Sequence, residues 1–258
     1  MRPALRLRVL AAFLVAVLQC GRCAAAEAGG SSVETFALAN GMQVVVVPDH
    51  RVPVVTHMVW YRVGAADDPW GTSGVAHFLE HLMFKSTATR ASGEFSRTIT
   101  RIGGRDNAFT SHDSTYYFQR VAKEHLPTVM ALEADRMKNL RLDDEEVRTE
   151  RDVVREERRN TVEGNPLNIL GEQMLAALYL NNPYGRPVLG WSHEIERLSR
   201  ADAITFYARH YAPNNATLVV AGDVTAAEVR RIAETTYAKI KATTALPARV
   251  KRAEPEPV

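Results

Sequence analysis

Cysteine is almost absent from the chain. Only Cys20 and Cys23 occur in its 258 residues, and both fall in an N-terminal stretch that reads as an address rather than as structure. Residues 1–8 carry three arginines and no acid, residues 9–18 are an unbroken apolar run, and Ala24, Ala25 and Ala26 supply small residues for a cleavage site. Residues 1–26 are therefore expected to be a signal peptide that exports the chain to the periplasm or an equivalent space. The apolar run falls well short of the roughly twenty residues that cross a bilayer, so no stable membrane insertion is expected. Gln19 and Arg22, which precede the two cysteines, disfavour a lipid anchor at either. Beyond Ala26 there is no thiol at all, so disulfides are excluded and any metal site must be built from histidine and carboxylate.

A basic excess is missing as well. The full chain has 32 Lys+Arg against 30 Asp+Glu, but the signal removes Arg2, Arg6, Arg8 and Arg22 and no acid, which leaves 28 against 30 and a net charge of −2. No basic stripe interleaved with aromatics remains, and nucleic acid is not an expected partner. What is present is apolar residues at 46% of the chain, enough for one substantial core.

Residues 35–47 alternate apolar and polar around Asn40-Gly41, a hairpin signal, and residues 54–63 form a second β-rich run. Helical spacing appears over 74–84 and 94–102, the second closed by Gly103-Gly104. Strands are expected at 107–111 and 115–121, then helices at 126–139, 143–163 and 167–180, the last following Asn165-Pro166. A loop at 182–190 leads to a helix at 201–211, a buried strand at 216–221 and a closing amphipathic helix at 226–239. Strands and helices intermix without regular βα alternation. This predicts an α+β fold, a mostly antiparallel sheet with helices packed on it, over 27–245, with 246–258 as a linker or loose tail.

The chemistry enters at His77-Phe78-Leu79-Glu80-His81, an H-x-x-E-H motif inside a helical stretch. Residues four apart share a helix face, so both imidazoles can reach one zinc ion, at bonds of roughly 2.0–2.1 Å. Glu80 lies on nearly the same face and can serve as general base on a water held by the metal without being a ligand. This is the inverted order of the commoner H-E-x-x-H signature. A catalytic zinc site needs a third protein ligand and one open position, and a second acidic cluster runs from Glu150 to Arg159. Spacing alone does not choose among its carboxylates. Glu145, Glu146, Arg148, Arg155, Arg158 and Arg159 read as a solvated helix surface.

Three blocks together resemble the insulinase, pitrilysin and mitochondrial processing peptidase family of inverted-motif metallopeptidases. They are residues 74–85 around the motif, Asn107-Ala108-Phe109-Thr110 with Asp113, Thr115 and Tyr117, and Glu150-Arg151-x-Val153-Val154-x-x-Glu157. The resemblance covers residues 35 to about 241, with one departure at Ser86, where the family usually has glycine. It implies a metallopeptidase half-clamshell domain with one zinc per chain, held by His77, His81 and Glu157, and with Glu150 supporting the site from outside the ligand set. It further implies that an extended peptide substrate pairs with the strand at Asn107 and Ala108. The activity implied is endopeptidase cleavage of extended or unfolded peptides. Family members are built from two halves, so a second half-domain or partner subunit is an expected partner. The alternative is a non-catalytic subunit that binds peptides or takes part in assembly.

Overall fold

The computed structural model describes residues 32–244, 246–249 and 253–255. The signal peptide expected at 1–26 lies outside them. Six strands, β1 (Glu34–Ala37), β2 (Gln43–Pro48), β3 (Val54–Tyr61), β4 (Arg105–Thr110), β5 (Thr115–Ala122) and β6 (Ala216–Gly222), form one sheet in the order β1-β2-β6-β3-β5-β4. Only the β2–β6 pair is parallel. The mostly antiparallel α+β arrangement is the one the sequence predicts.

Alternation explains which face is covered. Val55, His57, Val59 and Tyr61 of β3 and Thr115, Tyr117, Gln119 and Val121 of β5 are buried, while their neighbours in sequence face the other side. The helices are α1 (Val75–Leu82), α2 (Glu94–Arg101), α3 (Leu126–Asn139), α4 (Asp144–Arg158), α5 (Pro166–Leu178), α6 (Ser192–Ile195), α7 (Arg200–His210) and α8 (Ala226–Thr235). Of these, α1, α2, α3 and α8 pack directly against the sheet. With only eight residues, α1 is too short to persist alone and depends on packing. Val75, Phe78, Leu79 and Leu82 are each at most 1% exposed, which stabilises the helix by about 6–12 kcal/mol in gross transfer terms.

α4 begins with a capping box, in which Asp143 and Glu146 each accept a hydrogen bond from the other's backbone amide. Asp144, Glu145 and Glu146 occupy its first turn, where the helix dipole favours negative charge. Its inward stripe is Val147, Glu150, Val154 and Arg158, and it passes directly into a single π turn, Arg159–Glu163. Arg158 is thus not the solvated residue the charged run suggested. It is 6% exposed and forks onto Glu172, with a further bond to the Gly190 carbonyl. One turn beyond the fully buried Val154, it follows the stripe inward.

α5 is organised in reverse. Glu172 points in, towards Arg158, while Leu167, Leu170, Met174 and Leu178 lie outward and exposed. The described parts of the C-terminal tail make defined contacts. Arg249 pairs with Asp67 and Asp113, and the Glu254 carboxylate accepts the backbone amides of Leu180, Asn181 and Asn182.

Candidate metal centre

α1 is aimed by its entry loop. Asp68 accepts hydrogen bonds from the amides of Gly74 (2.7 Å) and Ala76 (3.0 Å), two of the donors a helix N-terminus leaves unpaired. Gly74 has φ +87°, and a Cβ there would lie 2.4 Å from the Leu189 carbonyl oxygen. Gly190, at φ +89°, meets the Ser73 carbonyl oxygen in the same way at 2.3 Å. The two glycines therefore let the start of α1 touch the segment that carries Val188 and Leu189, which form one wall of the site.

Inside that wall, α1 presents His77 and His81 one turn apart, with ring centroids 4.8 Å apart. α4 brings Glu157 against them. His81 Nε2 lies 3.2 Å and His77 Nε2 3.7 Å from Glu157 Oε2. A tetrahedral ion with bonds of roughly 2.0–2.1 Å has ligand-to-ligand edges of about 3.3 Å, so these spacings fit one zinc ion. The tautomer fits too. The Glu150 carboxylate lies 2.8 Å from His81 Nδ1, the nitrogen that faces away from Glu157, so Nδ1–H donates to it and the Nε2 lone pair is left for a cation. The other oxygen of Glu150 binds Lys85 Nζ at 2.5 Å.

The same charges show in the acidities. Burial, with the neighbouring His81 adding to it, pulls His77 down to about 4. Burial also works against protonation of His81, but its bonds to Glu150 and Glu157 outweigh it and hold that ring up to about 9. The bond from His81 draws Glu157 below the usual carboxylate range. With a proton as the only cation, the cluster keeps it on the imidazole that lies between two carboxylates.

Glu80 points into the same cleft, a space of about 490 Å³. Thr110 Oγ1 donates to Glu80 Oε2 at 2.5 Å, and no other hydrogen bond reaches this carboxylate among the described residues. Burial raises the pKa of Glu80 and makes it a weaker acid, while the Thr110 bond opposes the shift. Asn107, Ala108, Phe109 and Thr110 line the cleft from β4, one of the two outer strands of the sheet. The structure thus gathers every residue singled out in the sequence, His77, Glu80, His81, Asn107, Ala108, Glu150 and Glu157, around one cleft. It adds Thr110 and Lys85 as direct partners of Glu80 and Glu150, contacts between distant segments that no local spacing signals. Ser86, the departure from the family pattern, donates its hydroxyl to Glu146 of α4.

A half-sheet domain with a histidine-carboxylate centre at its edge strand is the architecture of an inverted-motif zinc peptidase half. The chain belongs to the insulinase family, peptidase family M16, whose model matches residues 43–191. A second model, described as the M16 inactive domain, matches residues 197–258. The boundary between the two does not divide the fold, because β6 at 216–222 lies between β2 and β3 in the sheet. A zinc protease from Helicobacter pylori named PqqE is 36% identical over 209 residues, 81% of this chain and 47% of that protein. An uncharacterized zinc protease of Mycobacterium leprae is 36% identical over 204 residues, 79% of this chain and 46% of that protein. Among solved structures, a protease from Helicobacter pylori superposes with a TM-score of 0.81 at 35% identity, covering 84% of this chain and 53% of that one. The first half of the Escherichia coli periplasmic protease PqqL gives 0.80 at 27% identity, covering 87% and 49%. The chain therefore spans about half the length of these relatives. Among the described residues no helix is long and apolar enough to cross a membrane.

Proposed function

We propose that the chain is the zinc-binding half of an endopeptidase that cleaves extended or unfolded peptides. The observation that carries this reading is the convergence of one ligand atom each from His77, His81 and Glu157 within 4.8 Å of one another, in a cleft shared with Glu80. Two histidines and one carboxylate leave one position of a tetrahedral zinc free, the pattern of catalytic rather than structural sites. Bound there, zinc would acidify water and polarise a peptide carbonyl.

The chain's own residues supply the rest. Glu80, with Oε1 unpartnered among the described residues, takes the proton of the attacking water and returns it to the leaving amine. Glu150 holds His81 in the tautomer that exposes Nε2. Among the described residues β4 pairs only with β5, so its outer edge offers a ladder at Asn107 and Ala108 to an extended substrate. Lying beside the metal cluster, that ladder sets a peptide bond across the cleft.

Export to the periplasm is part of the same proposal, supported by the N-terminal pattern and by a structural relative described as periplasmic. So is a second half-domain, on the same or another polypeptide, supported by the length of the relatives. The test is hydrolysis of an unstructured quenched peptide by the zinc-loaded protein and its Glu80→Gln variant. Cleavage by the parent alone, with zinc bound to both, is the expected result. Zinc bound to both with no cleavage by either assigns turnover to the assembled halves, and equal cleavage by both refutes Glu80 as the base.

A further inference from the structure

We infer that Thr110 is a positioning residue for the reaction, fixing the general base in register with the strand on which substrate would lie. The inference rests on the assignment of Glu80 as base and goes beyond it. Thr110 is the last residue of β4, three positions after Asn107, and is 5% exposed. Its hydroxyl reaches across to α1 and donates to Glu80 Oε2 at 2.5 Å.

The direction of that bond is set by its neighbours. Thr115, paired with Thr110 in the sheet register, donates its hydroxyl proton to the Val63 carbonyl at 3.0 Å. Its oxygen lies 3.5 Å from Thr110 Oγ1, a distance that carries no strong bond. The single hydroxyl proton of Thr110 is thereby left for Glu80. Glu80 receives it on Oε2 and keeps Oε1 without a partner among the described residues.

The consequence is geometric. A glutamate has three side-chain torsions, and in an open cleft its carboxylate would otherwise sample several rotamers. One bond to the edge strand removes that freedom on the side away from the reacting water. Because the hydroxyl sits on β4 itself, any peptide that pairs with this strand is placed relative to the base by the same residue. Asn107 and Ala108 would hold the peptide, while Thr110 tells the base where that peptide is.

Three variants of the zinc-loaded protein, studied with its second half wherever turnover requires it, test the inference. Thr110→Val removes the hydroxyl with little change of shape and should lower kcat on the quenched peptide about 10²-fold, as for a group displaced by 1 Å. KM and zinc content should stay at the parent values. Thr110→Ser, which keeps the hydroxyl, should restore most of the rate. Crystal structures read the same question without turnover, with Glu80 held as here in the parent and in Thr110→Ser but moved from this position in Thr110→Val.

A Thr110→Val protein with parental kcat, or with Glu80 undisplaced, overturns the inference. So does a Thr110→Ser protein as slow as Thr110→Val, which would make the threonine a packing residue. Glu80→Gln separates the two levels of the argument. If Glu80→Gln is inactive and Thr110→Val is not impaired, only the positioning role fails; if Glu80→Gln cleaves like the parent, the base assignment fails and takes the positioning role with it.

Discussion

Zinc affinity should depend on a residue that never touches the metal. Glu150 is a 9% exposed side chain with one oxygen 2.8 Å from His81 Nδ1 and the other 2.5 Å from Lys85 Nζ. Its acceptor fixes the ring orientation, and its charge makes the opposite nitrogen a stronger donor to a cation. Losing such a partner weakens metal binding about 10–100-fold, or about 1.4–2.8 kcal/mol. Glu150→Ala removes both effects and leaves Lys85 without this carboxylate, so it belongs near the upper end. Glu150→Gln keeps a carbonyl oxygen that can accept from Nδ1–H and loses only the charge, so it belongs near the lower end. Competition for zinc against a chelating dye at pH 7 measures both. Glu156→Ala, at an exposed position bonded only to Arg159 and Asn160, is the control that should change nothing. A Glu150→Ala protein with parental zinc affinity would refute the orientation argument.

Gly190→Ala forces a Cβ to 2.3 Å from the Ser73 carbonyl oxygen at φ +89° and should cost about 1–3 kcal/mol in backbone strain alone. Urea unfolding reads the loss, and unchanged stability would mean that the Gly74–Gly190 contact does not aim α1. Acid should remove the stability that two buried imidazoles contribute, against the opposite effect of Asp68, which burial raises to about 8. Burial lowers His57, whose Nδ1 faces Gln119 Oε1 at 2.7 Å and whose Nε2 faces the Tyr237 hydroxyl at 2.8 Å, and it brings His210 down to about 4. Both folded values lie below those of the unfolded chain, so the stability they contribute is full above pH 6.5 and is lost as the pH falls, for His210 towards about 4. For His210 alone the loss is about 3 kcal/mol by pH 4. An NMR titration in which the His210 ring protonates at the ordinary imidazole value would contradict this. Leu170→Gln on α5, where the side chain is 61% exposed, should change the stability of the chain by no more than about 0.5 kcal/mol. A larger drop in the thermal midpoint would show that α5 packs more closely than its exposed face indicates.

The parts of this molecule that were legible in sequence are those whose signal is local. The H-x-x-E-H helix announces itself because two ligands four apart need nothing else to share a face. Most strands of the sheet are visible as apolar or alternating runs, though β4 is not one of them. Glu157 was different. Spacing did not distinguish it from its neighbours, and family resemblance supplied it. The proposed division of labour has a geometric counterpart, since Glu150 meets Nδ1 of His81 and Glu157 meets Nε2. Arg158 was misread because a charged run resembles a solvated surface, and only the acidic residue on α5 shows why the guanidinium turns inward. Thr110 stood in a family block without a role, and Asp68 carried no readable signal, because each acts on α1 from a segment whose proximity only the folded chain creates. The outward leucines of α5 illustrate the complementary limit. Periodicity identifies the helix but not whether its apolar face has a partner.

The central claim is that His77, His81 and Glu157 form one zinc site. Metal analysis of the purified protein and of its His77→Ala, His81→Ala and Glu157→Ala variants, after dialysis against a weak chelator, tests it most directly. One zinc per chain in the parent and a large loss in each variant is the predicted result. A parent that retains no zinc, or variants that retain it as fully as the parent does, would contradict the account.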